Sequence, residues 1–344
     1  MRAGAPSSCR RPCSRSHALT LWHLLLLLYV LTAGGCEQEE RVPYIPPTLA
    51  NWPQPYRGVA GLTVHIFTTG MWRLPDAFVL RGGSVTSTRA LPVYVAVVEH
   101  PKEGLVLFNT GLDPQSVATG VLPNWLGVIN SDVSHGESVR AQMEAAGLKP
   151  DRVHWIVLSS LRFDHTGMLK AFPQARVVVT KAERDYARQG PSGYAPADFA
   201  DVSNWKFIDF ESAAPLATFR AHLDLFGDGS CLLLDASGAT PGTLAMLVRL
   251  PRRPLLLAGD LAPVRETVQY AARLASVSDM DEWWDHIWRL KRFKDLVPQL
   301  IVLPGYDTSA AASSTNIVVH PYTAPPETGT PTPDVLQRLI PKPM

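Results

Sequence analysis

At 344 residues the chain has material for one large domain or two ordinary ones, and its 46% hydrophobic content is that of a globular protein. A formal net charge of +1 gives no electrostatic case for nucleic acid or another polyanion, and nucleic-acid binding is set aside.

The first stretch is an address. Arg2, Arg10, Arg11 and Arg15 precede an apolar run over residues 19–31 that includes five consecutive leucines, Leu24 to Leu28. Small residues follow, Ala33-Gly34-Gly35, and then Cys36. Basic, apolar, small is the order of a secretory signal, and the run is too short to span a bilayer comfortably. A cysteine directly after small residues resembles a bacterial lipobox, which would place a lipid on Cys36, although Ala33 stands where such motifs usually have Leu. Pro12-Cys13 follow Arg10-Arg11 where twin-arginine export expects an apolar residue, which favours the general secretory route. Cys9 and Cys13 would leave with the signal and only Cys231 would remain in the mature domain, so no intradomain disulfide is expected. An uncleaved anchor helix is the alternative. Either way the domain is expected in a bacterial cell envelope, tethered to a membrane and facing the periplasm or the exterior.

Residues 37–57 are polar and then proline-rich (Pro43, Pro46, Pro47, Pro53, Pro55), the composition of an extended spacer. Residues 63–67 alternate as a strand, and Thr69-Gly70 read as a turn. Residues 91–99 and 105–108 predict two further strands. A helix is predicted over residues 134–146, stopped by Gly147. Residues 155–158 form a short apolar, β-branched run that ends in the polar loop Ser159-Ser160-Leu161-Arg162-Phe163-Asp164-His165-Thr166-Gly167. Residues 175–179 predict a strand, with Thr180 capping a helix over 181–188, and residues 190–201 a loop of the kind that shapes pockets. Strands are predicted at 230–234, 244–250 and 255–258, the last ending at Gly259-Asp260. Residues 278–293 predict an amphipathic helix with Ser278 and Asp281 at capping-box spacing and Met280, Trp284, Ile287 and Leu290 as its apolar stripe. Trp283, Trp284 and Trp288 read as core and rim of that helix. A last strand at 300–303 runs into Pro304-Gly305-Tyr306-Asp307, and residues 323–344 form a Pro/Thr-rich tail. Strands alternating with helices, each strand ending in a short polar loop, predict an α/β fold with its site along one edge.

The loop after residue 158 resembles the T-H-x-H-x-D-H-x-G motif of the metallo-β-lactamase fold. The runs SVRAQMEAAGLKPDRVHWIVLSSLRFDHTG, FPQARVVVTKAERDYA, GATPGT, LLLAGD and IVLPGYD follow the order and spacing of its N-acyl homoserine lactonase-like branch. The resemblance implies an αββα sandwich over residues 58–322, in which five histidines and two aspartates hold two metal ions that generate hydroxide and polarise a carbonyl.

Carried over residue by residue, the first ion's histidines fall on Ser160, Arg162 and Ala239. None of these can replace an imidazole. The second ion's ligands fall on Asp164, His165 and Tyr306, with Asp260 as the bridge, and Asn109 replaces the supporting aspartate of an Asp-Thr-Gly motif. Pro263 stands where the lactonases carry an assisting tyrosine. The other histidines, among them His65, His100, His154 and His320, are scattered singly and suggest no relocated ligand set. Arg162 is expected to supply internal positive charge in place of the missing cation, with its guanidinium within hydrogen-bond distance of Asp164 or Asp260.

Three functions remain open at this level. One is a non-hydrolytic envelope lipoprotein that binds a small molecule or a protein partner and holds no metal or a weakly bound one. A second is a hydrolase of lactones or other esters using a single zinc or iron at Asp164, His165, Asp260 and Tyr306, with Asp164 in the catalytic role. The third is a purely structural envelope protein.

Overall fold

The computed structural model describes residues 45–120 and 132–322. The signal segment, the lipobox-like cysteine, the start of the spacer and the Pro/Thr-rich tail lie outside the described residues. The chain divides into units at Met1–Pro46 and Pro47–Met344, and the architecture below is that of the second.

Among the described residues the first sheet contains β1 (Thr63–Pro75), β2 (Thr88–His100), β3 (Gly104–Phe108), β4 (Asp132–His135), β5 (Val153–Val157), β6 (Arg176–Thr180) and β7 (Trp205–Ile208). The second contains β8 (His222–Asp224), β9 (Cys231–Asp235), β10 (Leu244–Val248), β11 (Leu255–Leu257) and β12 (Ile301–Leu303), and β13 (Ile317–Val319) returns to the first. Their orders are β13-β1-β2-β3-β5-β6-β7, with β4 paired to β1, and β12-β11-β10-β9-β8. Helices α1 (Pro114–Ala118), α2 (Val139–Ala145), α3 (Phe163–Thr166), α4 (Lys181–Ala187), α5 (Pro196–Phe199), α6 (Arg265–Tyr270) and α7 (Met280–Leu296) complete the set used here.

Strands β3, β10, β11 and β12 are buried at every position because they are covered on both faces. Ile66, Val98, Val106, Phe108 and Val157 point between the sheets, against Leu233, Met246, Val248 and Leu257. The alternate residues Phe67, Val97, Leu107 and Ile156 pack outward with Val139 and Met143 of α2 and Ala187 of α4. On the other side Leu234, Leu247 and Leu256 meet Trp283, Ile287, Leu290 and Phe293 of α7. Helix, sheet, sheet, helix is the predicted αββα sandwich.

Four local expectations change. Thr69-Gly70 is not a turn: β1 continues to Pro75 through a register shift between Thr68 and Gly70. Gly70 serves a close approach instead, since a Cβ there would lie 2.3 Å from the Ser134 carbonyl oxygen of β4. Ser134 belongs to that strand, and the helix following it starts at Val139 under a Ser138 cap. In α7 the cap is Asp279, which accepts from the amides of Asp281 and Glu282, so the buried stripe shifts to Trp283, His286, Ile287, Leu290 and Phe293. The spacer is not detached throughout: Trp52 is buried, stacked on Tyr56 at 5.8 Å and edge-on to Phe293 at 4.9 Å.

Candidate functional site

Three strand ends and a hairpin converge at one edge. Ser159 and Ser160 leave β5, Gly259 and Asp260 leave β11, Tyr306 follows β12, and Ala239 and Thr240 sit between β9 and β10. The closeness of the first two loops depends on Gly259, whose φ is +52° and whose added Cβ would lie 2.7 Å from Ser159 Cβ.

The residues singled out in the sequence come together. Ser160 Oγ donates to Asp260 Oδ2 at 2.8 Å and lies 2.9 Å from His165 Nδ1. With the one hydroxyl hydrogen committed to the carboxylate, His165 Nδ1–H must be the donor to Ser160, which fixes the orientation of the ring. His165 Nε2 then lies 3.7 Å from Asp164 Oδ2 and 3.8 Å from Asp260 Oδ1. Tyr306 donates to Asp164 Oδ2 at 2.6 Å. Asn109, held at φ +62°, accepts from the Ser159 amide at 2.9 Å and so steadies the loop.

Arg162 Nε lies 3.5 Å from Asp164 Oδ1 and 4.0 Å from Asp260 Oδ2. This is an ion pair with both carboxylates rather than the expected hydrogen bond. Nε and Asp164 Oδ1 are both buried and have no hydrogen-bond partner among the described residues. The guanidinium carbon also sits 5.5 Å from the centre of the Trp72 ring, a cation–π contact. Burial opposes the charge on Arg162, but Tyr306, Asp164 and Asp260 outweigh it and raise its pKa. Burial likewise opposes ionisation of Asp164, yet His165, Arg162 and the Tyr306 hydrogen bond hold its pKa below the ordinary carboxylate value. Tyr306 is pushed far up by burial and by the two aspartates, so its phenol stays protonated.

Sequence reasoning missed the residue that ties the loops from behind. Glu183 is fully buried and accepts from the Leu161 amide at 2.8 Å, Tyr194 Oη at 2.6 Å and Thr240 Oγ1 at 2.5 Å. Burial raises its pKa despite these donors. The signal was present: Thr180 caps α4 and Glu183 has capping-box spacing to it. The carboxylate turns inward to the cleft loops instead of back to the cap. Two histidines are also not solitary, since His65 Nδ1 lies 3.0 Å from His320 Nε2 and its Nε2 3.2 Å from Glu99. They lie on β1 and just after β13, on other elements than the cluster.

Above the cluster is an open cleft with about 570 Å³ of atom-free space. Trp72, Leu74, Val79, Leu91 and Leu274 make its apolar wall, and Arg162, Thr240, Asp260 and Tyr306 its polar floor; Ala239 and Pro263 line it without offering a donor. Among the described residues, no group of three or more His, Cys, Asp or Glu side chains is arranged to hold a metal ion.

Comparison with known proteins agrees with this architecture. Residues 88–306 match the family model of the metallo-beta-lactamase superfamily. The N-acyl homoserine lactonase AttM of Azorhizobium caulinodans is 32% identical over 181 residues, 50% of this chain and 65% of that protein. AttM of Rhizobium radiobacter is 30% identical over 183 residues with the same coverage. The match thus spans about 65% of the length of these relatives. Among solved structures, an AiiA variant of B. thuringiensis with N-decanoyl-L-homoserine bound at its active site superposes with a TM-score of 0.62 at 20% identity, covering 73% of this chain and 96% of that one. An N-acyl homoserine lactone hydrolase holding N-hexanoyl-L-homoserine gives 0.60 at 21% identity, covering 73% and 96%. At such identities the superposition speaks for the fold. Together with the family match over most of the domain, it establishes that the chain belongs to the metallo-beta-lactamase superfamily.

Proposed function

We propose that this protein is a membrane-tethered envelope member of the superfamily, lactonase-like in scaffold, whose cleft binds a ligand without hydrolysing it. The observation that carries this reading is the position of Arg162. Its guanidinium stands beside Asp164 and Asp260 at 3.5 and 4.0 Å, where a cation would otherwise balance the two carboxylates.

The residues present do not fit a two-ion centre. Ser160 is committed to Asp260 and His165, Arg162 repels cations, and Ala239 offers no donor. Water activation by a metal pair is therefore not part of the proposed function. The cleft can still bind: its apolar wall suits an acyl chain, the portion that the ligands of the solved relatives bring to their sites. An amphiphilic small molecule is the ligand class favoured.

One observation keeps a second reading open. His165 Nε2 lies 3.7 Å from Asp164 Oδ2 and 3.8 Å from Asp260 Oδ1, and Asp164 Oδ1 has no hydrogen-bond partner among the described residues. A single cation there, with Tyr306 beside it, would make a one-metal hydrolase of lactones or other esters. Metal analysis of the purified chain together with a lactone hydrolysis assay separates the two. The proposal expects metal near zero and turnover no higher than in an Asp260→Ala variant. About one ion per chain, with zinc- or iron-dependent hydrolysis lost in Asp260→Ala, would establish the second reading.

The envelope address rests on the basic, apolar and small order that ends at Cys36. The protein should incorporate labelled fatty acid, and Cys36→Ser should abolish the label. Labelling that survives the substitution would remove Cys36 as the anchor.

A further inference from the structure

The rim of the cleft continues onto a face that takes no part in the charged cluster. Three large hydrophobic side chains are exposed there, Phe78 at 48%, Tyr270 at 76% and Trp288 at 41%. Backbone pairing sews their segments together: the Ala275 amide donates to the Val79 carbonyl at 3.1 Å, and the Arg81 amide to the Arg273 carbonyl at 2.8 Å. Cations are threaded between the rings. Arg273 covers Trp284 at 4.7 Å, Trp284 meets Trp288 edge-on at 5.7 Å, and Lys291 lies 5.8 Å from the Trp288 ring. Lys291 Nζ also donates to the Gln269 carbonyl at 2.7 Å, which brings it next to Tyr270.

We propose that this face, formed by α6, α7 and the turn after β1, docks on the surface of an anionic phospholipid bilayer. Indole and phenol rings have an apolar body and a polar edge, the combination that partitions to the headgroup boundary. Arg273 and Lys291, each set against an indole face, supply the charge complement to anionic headgroups. Asp281 and Asp295 bracket the stripe on α7 and set its length. One further feature favours a bilayer over a protein partner. Phe78 lies on the rim of the cleft itself, so a docked face would open the apolar wall toward the lipid phase, from which an amphiphile could enter. The inference does not depend on whether the cleft hydrolyses its ligand.

The test uses the full chain reconstituted into phosphatidylglycerol vesicles containing phospholipids brominated on their acyl chains, with tryptophan fluorescence as readout. Docking predicts a component of bromine quenching that disappears in Trp288→Phe. That component should fall roughly threefold or more in Arg273→Gln/Lys291→Gln and on phosphatidylcholine vesicles, because each interfacial cation lost weakens the contact. Both sets of substitutions are at half-buried or exposed side chains, and an unchanged thermal transition verifies the fold. Quenching identical in Trp288→Phe and the parent would overturn the proposal. So would a lipid-independent dimer in sedimentation that Trp288→Ala dissociates, since the face would then belong to a second copy.

Discussion

Replacing Arg162 by alanine should destabilise the domain by about 3 kcal/mol at neutral pH, because two largely buried carboxylates would be left without their cation. An exposed ion pair would contribute at most about 1 kcal/mol. Here Asp164 is fully buried, and the Arg162 side chain retains only 24% of its exposure. The pH dependence has a definite sign. Asp164 has a lowered pKa in the fold, so its interactions with Arg162, His165 and Tyr306 stabilise the protein above the ordinary carboxylate pKa. That contribution is lost as pH falls through the lowered value. Arg162→Ala removes part of it, so its penalty should be full at pH 7 and shrink in acid, as Asp164 protonates in both folded and unfolded chains. Denaturation of parent and variant at several pH values measures this. An unchanged melting temperature at every pH would mean that the arginine does not stand in for a cation.

The converse experiment should create metal dependence. Ser160→His, Arg162→His and Ala239→His together remove the internal cation and place three imidazoles at the cleft floor. Without zinc this variant should be less stable than the parent, since the guanidinium is gone and Ser160 no longer donates to Asp260. With free zinc at about a thousand times its dissociation constant the gain should be about 4 kcal/mol, reversed by a chelator. The parent, treated identically, should show no such shift. A variant that melts alike with zinc and with chelator would show that these three positions do not surround a common point.

Much of the site could be read from the sequence because strand ends are landmarks. Short apolar runs locate β5, β11 and β12, and the residues just after them, Ser160, Asp260 and Tyr306, must then lie at one edge. Motif register supplied Arg162, Asp164 and His165. What escaped depends on contacts remote in sequence. Nothing in the periodicity of β1 says that Trp72 will lie beneath the guanidinium, which meets Asp164 as an ion pair at 3.5 Å instead of the expected hydrogen bond. Glu183 has the local spacing of a helix-start residue, and only the loops folded around it give it another use. The turn expected at Gly70 failed for a related reason, since a glycine needed for close packing against β4 is indistinguishable in one dimension from a glycine that reverses the chain.

Glu183 has a consequence for what keeps the cleft in shape. In a two-ion enzyme the ions themselves clasp segments that are distant in sequence, and losing a ligand would let those segments drift apart. Here residues 161, 194 and 240 are already clasped by one inward carboxylate that touches none of the metal positions. The outline of the cleft is therefore braced from behind by the polypeptide itself, whatever side chains stand at 160, 162 and 239.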